Sequence, residues 1–143
     1  MYADEKSPAV TPSSSDRQTV KVYERILQLL EAEGVDTVFG IPDPSFVHLF
    51  VAAEERGWNV VTPHHELSTG FMAEAYTRMT GKPALAIATL GPGIALAAGA
   101  MMDSLVENCP VIFLGGQRAR VTERRVRRGR IQFIQQEDLF KNS

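Results

Sequence analysis

From position 19 the apolar residues Val20, Tyr23, Ile26, Leu27 and Leu30 recur at helical spacing, and Gly34 follows as a stop. This predicts an amphipathic first helix, with Ser15 or Asp16 ahead of it as a cap. Residues 35–41 form a short β-branched and aromatic run ending in Gly40-Ile41-Pro42, which reads as a strand entering a sharp turn. Asp43-Pro44 has the form of an N-cap followed by proline at the first helical position. Phe46, Val47, Leu49, Phe50 and Ala53 then supply the apolar face of a second helix up to Gly57. The alternation continues with a strand at 58–62, a turn at 63–65 and a helix at 66–80 closed by Gly81. A third strand at 84–89, a glycine-rich turn at 90–93, an Ala- and Met-rich helix at 94–107 and a fourth strand at 110–115 complete the pattern. Three of the strands are nearly unbroken apolar runs, as strands covered on both faces are, so the expected architecture is an α/β doubly wound parallel sheet with helices on both faces.

Composition adds limits to this picture. The chain has 143 residues, 44% hydrophobic and 22% charged, which suits one ordinary globular domain. The single cysteine, Cys109, has no internal bridging partner; it sits in an apolar run before Pro110, reads as a small buried hydrophobe and points to a reducing, cytoplasmic setting. Residues 1–16 carry acids, prolines and serines without a signal-like apolar stretch and read as a disordered leader, leaving 17–143 as the folded domain. No window approaches the ~18 uninterrupted apolar residues of a membrane-spanning helix. The net charge of −2 conceals an asymmetry: residues 118–130 hold seven of the fifteen basic residues against Glu123 alone, while the remainder is acidic. A generally basic nucleic-acid binder is therefore not indicated. The basic run reads either as a solvated loop pairing with acidic surface or as a grip on a polyanion, a phosphorylated substrate or a coenzyme A tail, and it lacks the interleaved aromatics of a base-stacking site.

Ligands of open parallel sheets bind beyond the carboxyl ends of the strands. Three turns occupy that edge: Pro42-Asp43, His64-His65-Glu66 and residues 89–93. Glu66 follows a strand and opens a helix, where the macrodipole favours negative charge. It is either a capping acid or a carboxylate placed for chemistry. Gly91-Pro92-Gly93 permits close approach of backbone or of a planar ligand. It is not a dinucleotide fingerprint, since position 96 is Leu96, and it has no lysine of the Walker type. His64 and His65 read as turn and packing residues.

Taken in order, VDTVFGIP at 35–42, His65-Glu66, Phe71-Met72-Ala73 with Ala75-Tyr76 and Arg78, TGKP at 80–83, Gly91-Pro92-Gly93, Asp103 and PVIFLGGQ at 110–117 resemble the pyrimidine-binding domain of thiamine-diphosphate enzymes of the acetolactate synthase and pyruvate decarboxylase type. The resemblance spans residues 19–140 and implies thiamine diphosphate as cofactor and a small 2-oxo acid as substrate. It implies that Glu66 is the catalytic glutamate that hydrogen-bonds N1′ of the cofactor's aminopyrimidine. A carboxyl group there exchanges a proton with the ring, so that the 4′-imino form can take the C2 proton of the thiazolium, an acid–base role worth about 10²–10⁴ in rate. The same resemblance implies that Pro42, Asp43, Thr89, Gly91, Gly93 and Gln135 line the cofactor site, although many relatives have glycine in place of Asp43. It departs from the family at Ile94-Ala95-Leu96, where relatives carry a Thr-Asn pair, and at His64, where acetolactate synthases commonly have Arg.

In that family Mg²⁺ and the diphosphate are held by a Gly-Asp-Gly segment followed by Asn, and this chain contains no Gly-Asp pair. The resemblance therefore implies no metal ligands here, Mg²⁺ held by another domain, and a chain inactive alone. The sheet is expected to be incomplete at its C-terminal side, as an N-terminal piece of a longer enzyme or as a split subunit. The partner is then a homo-oligomer mate or a diphosphate-binding domain or subunit. A non-catalytic interaction or regulatory module of the same fold is the alternative.

Overall fold

The alternating apolar runs fold into the expected parallel α/β sheet, as seen in a computed structural model that describes residues 19–117, 132 and 134–141. The elements run α1 (Val22–Ala32), β1 (Thr37–Gly40), α2 (Val47–Glu55), β2 (Asn59–Val61), α3 (Glu66–Thr80), β3 (Ala84–Ala88), α4 (Pro92–Val106), β4 (Val111–Gly115) and a short α5 (Gln136–Leu139). The four strands are all parallel and lie in the order β2-β1-β3-β4. β1 and β3 are central and buried along their whole length, whereas β2 and β4 are partly exposed.

The pleat sorts side chains to two faces. Val38, Leu85 and Ile87, with Val60 and Leu114 beside them, pack under α1 and α2 against Leu27, Leu49, Phe50, Ala53 and Trp58. Phe39, Ala84 and Ala86 face the other way toward Ala73 of α3, and Ala88 meets Ile94 and Ala97 of α4. That second face is built from small residues because α3 and α4 pack closely on it. A Cβ at Gly70 would stand 2.3 Å from Cβ of Ala100. Farther along the same two helices the buried carboxylate of Glu74 accepts from Ser104 Oγ at 3.1 Å and pairs with Arg78 at 2.6 Å.

Several local expectations shift. α2 begins at Val47 rather than after Asp43: Asp43 accepts the Ser45 N–H through its side chain and the Phe46 and Val47 N–H groups through its carbonyl. Its carboxyl thus caps a turn that precedes the regular helix. α1 starts at Val22 with Lys21 at its N-cap and no side-chain cap bond. The proposed caps Ser15 and Asp16, the leader at 1–16 and the basic run at 118–130 lie outside the described residues. Cys109 is not fully buried; it precedes the edge strand β4 and lines a cavity of about 300 Å³ with Met101, Ser104, Leu105, Val111 and Phe113. No helix among the described residues is long and apolar enough to cross a membrane.

The edge of the sheet away from the three turns is tied by Asp36. Its carboxylate pairs with Lys82 Nζ at 2.6 Å and accepts from Tyr76 Oη at 2.8 Å and Thr37 Oγ1 at 2.9 Å. The Lys82 bond, then the Tyr76 hydroxyl, pull its pKa from the ordinary 3.8 to about 2. A carboxyl depressed on folding stabilises the protein above its unfolded pKa and loses that contribution as pH falls through the folded one. Both charged side chains are about half exposed, so solvent keeps the effect small. In denaturant titrations, Asp36→Asn should be slightly less stable than the parent near neutrality, and the difference should vanish between pH 4 and about pH 2. A difference that persisted at pH 2 would contradict the assignment.

Candidate functional site

The carboxyl ends of β1 and β3 are neighbours, and the chain leaves them toward opposite faces, β1 through α2 and β3 through α4. Such a switch point leaves a crevice in a parallel sheet. The crevice here is a cavity of about 320 Å³ lined by Asp43, Pro44, Ser45, Thr89, Leu90 and Gln132. Asp43 presents a carboxyl of which Oδ1 accepts the Ser45 N–H at 2.6 Å, while Oδ2 is buried without a hydrogen-bond partner.

Glu66 stands next to this crevice at the first position of α3, half-buried. His65 is the N-cap, with Nδ1 accepting the Leu67 N–H at 3.1 Å, so the helix is capped without calling on the Glu66 carboxylate. Among the described residues that carboxylate makes no hydrogen bond or ion pair. Its nearest structural constraint is Gly93, where a Cβ would lie 3.3 Å from Glu66 Oε1 and 2.6 Å from Thr89 Cγ2. The missing side chain at Gly93 therefore lets Thr89 and the Glu66 carboxylate pack closely against the first turn of α4.

Gly91 serves a different purpose. It is the N-cap of α4 at φ +65°, and a Cβ on it would lie 1.8 Å from the carbonyl oxygen of Gln132. Its N–H donates to Gln136 Oε1 at 3.0 Å. The return segment is anchored by Ile134 and Phe140 on the Ala88, Ile94 and Ala97 cluster.

The structure thus brings together Glu66, Gly93 and Thr89, with Asp43 across the cavity. Pro42 is exposed and does not line the cavity. Gln135 is exposed at the N-cap of α5, and the contacts with the glycine turn come from Gln136 and Gln132. His65 acts as a cap, in line with its reading as a turn residue, and His64 is exposed. Neither Gln132 nor Gln136 stands in a pattern that would single it out, because both act through contacts more than forty positions away along the chain.

The site can accept protons or hydrogen bonds through Glu66 and Asp43. These acceptors fit the N–H groups on the edge of an aminopyrimidine. No group of three His, Cys, Asp or Glu side chains that could hold a metal ion occurs among the described residues.

Residues 20–140 match the family model described as the thiamine pyrophosphate enzyme N-terminal TPP binding domain, thiamine pyrophosphate being another name for thiamine diphosphate. The chain is similar to acetolactate synthase of Bacillus subtilis, 36% identical over 93 residues, which are 65% of this chain and 16% of that protein. It is similar to mouse (Mus musculus) 2-hydroxyacyl-CoA lyase 2, 35% identical over 118 residues, 82% of this chain and 18% of that protein. Among solved structures, the thiamine diphosphate-dependent 4-hydroxybenzoylformate decarboxylase of Rhodococcus jostii RHA1 superposes with a TM-score of 0.73 at 26% identity, covering 86% of this chain and 23% of that one. The chain therefore spans less than a fifth of the length of these curated relatives.

The glycine turn yields a prediction. Gly91→Ala would place a methyl group against the Gln132 carbonyl at a positive φ, so it should unseat the return segment. Hydrogen exchange in the intact protein should then rise both at residues 89–93 and at 132–140, with a stability loss of at least ~1–3 kcal/mol. Unchanged protection at 132–140 would refute the close contact.

Proposed function

The chain belongs to the thiamine pyrophosphate enzymes, within their N-terminal TPP binding domain, and from that membership we propose that it is the pyrimidine-binding domain of a decarboxylase or carboligase acting on 2-oxo acids, acetolactate-synthase-like in type. The observation that carries the reading is Glu66: a half-buried carboxylate at the first position of α3, spared from capping by His65, unbonded among the described residues, and closely approached by Gly93 of the glycine turn.

Glu66 is the acid–base residue in this reading. Its carboxyl oxygen meets N1′ of the aminopyrimidine and holds or releases a proton there. Gly93 excludes a side chain from the approach path, and Thr89 and Gly91 shape the wall against which the ring rests. Asp43 supplies a second acceptor across the cavity. Thiamine diphosphate, once bound, supplies the nucleophilic carbon and electron sink that 2-oxo acid decarboxylation requires. The diphosphate and its Mg²⁺ would be held by a further domain or a partner subunit, since the oxygen ligands that Mg²⁺ takes are not clustered among the described residues. Assembly into an oligomer and a cytoplasmic location belong to the same proposal, as does the chain's inactivity without its partner.

The test uses the complete, cofactor-loaded enzyme. Glu66→Gln keeps the size and hydrogen-bonding ability of the side chain but removes its proton exchange. It should slow hydrogen–deuterium exchange at C2 of bound thiamine diphosphate by about 10²–10⁴ and depress turnover alike, while cofactor binding by calorimetry stays within a few-fold. Exchange at the parental rate would sink the assignment.

A further inference from the structure

We infer that Gln136 is a positioning residue for Glu66, acting through the Gly91-Pro92-Gly93 turn; this rests on the reading of Glu66 proposed above. The turn is held between two elements distant in sequence. On its inner side Gly93 abuts Glu66 Oε1 and Thr89. On its outer side the Gln132 carbonyl covers Gly91, and Gln136 Oε1 accepts the Gly91 N–H at 3.0 Å in a half-buried setting.

Gly91 has no side chain to lock its conformation and sits at φ +65°, ψ −116°, a region open chiefly to glycine. A peptide in such a place is free to rotate unless its N–H is engaged. Without the Gln136 oxygen, the Gly91 N–H would remain as an unpaired donor in a half-buried site, or the peptide would turn to find another acceptor. Either response moves the first turn of α4, and Gly93 with it, relative to the Glu66 carboxylate that Gly93 closely approaches.

Gln136 is not needed to keep the return segment in place, because Ile134 and Phe140 anchor that segment by apolar contact. Its side-chain oxygen is therefore available for one task, fixing the orientation of the glycine turn. Gln135, its neighbour, is exposed and takes no part in that contact.

The inference is tested in the complete cofactor-loaded enzyme with Gln136→Leu, which removes the acceptor, and Gln136→Glu, which keeps one. Two readouts are followed: amide exchange of the peptide covering residues 89–93, and C2 hydrogen–deuterium exchange of bound thiamine diphosphate, which needs no substrate. Gln136→Leu should speed the former and slow the latter by about 5- to 10-fold each, the worth of one hydrogen bond, and Gln136→Glu should restore both to within about twofold. Parental behaviour of Gln136→Leu in both readouts overturns the inference. So does an equal loss in both variants accompanied by a lower melting temperature, which marks a purely structural role. If Glu66→Gln also leaves C2 exchange unchanged, the Glu66 reading has failed and the positioning role falls with it. If Glu66→Gln stops exchange while Gln136→Leu does nothing, only the role of Gln136 is lost.

Discussion

The parallel pairing of β1 with β3 is the constraint from which the rest follows. Both strands are buried on both faces, so their backbone groups must be paired within the sheet. The register Val38↔Leu85, Phe39↔Ala86 and Gly40↔Ile87 brings their carboxyl ends level. At that end Gly40 admits no side chain: a Cβ would stand 2.7 Å from Phe50 and 3.0 Å from the Ile87 carbonyl oxygen. The β1–α2–β2 and β3–α4–β4 crossovers run in opposite directions along the sheet, so right-handed connections carry them to opposite faces, and the cavity between Asp43 and Thr89 is the space those departures leave.

The second face turns that space into a site. Gly70 and Ala100 let α3 and α4 run close together, so their first turns meet at the crevice with Glu66 on one and Gly93 on the other. At the far end of the same helices, the buried Glu74 with Ser104 and Arg78 pins the pair. Removing one member of such a buried network leaves a charge or donor uncompensated, which costs more than the network contributes when intact. The network and the glycine contact thus hold the two helices at opposite ends, and the position of Glu66 relative to Gly93 depends on both.

Much of this was legible in the residues themselves. Runs such as ALAIA at 84–88 identify strands covered on both faces, and Gly81 ends α3 where its pattern ends. What the pattern could not supply were contacts made across the fold. Asp43-Pro44 has the composition of a helix start, yet Asp43 Oδ1 accepts the Ser45 N–H of a preceding turn and the regular helix begins three residues later. Cys109 reads as buried from its neighbours, but its strand is at the sheet edge. The resemblance pointed to Gln135, whereas the adjacent Gln136 meets the turn, because the four-residue α5 is too short for periodicity to assign a face.

The charge distribution at the crevice bears on how a cofactor with two unlike ends could be held. The described residues present two carboxyl groups, Glu66 and Asp43, together with Thr89 and Gln132. Two of the backbone donors at this edge are already engaged, Leu67 N–H by His65 and Gly91 N–H by Gln136. Like charges about 4 Å apart repel by ~1 kcal/mol in water and ~4 kcal/mol near a protein surface, so a diphosphate brought to this wall would be opposed rather than bound. An aminopyrimidine edge, which carries donors and no fixed negative charge, meets no such penalty. Under the proposed function the two ends of the cofactor must therefore be held by different surfaces, and that electrostatic incompatibility supplies a physical reason for a separate diphosphate-binding domain.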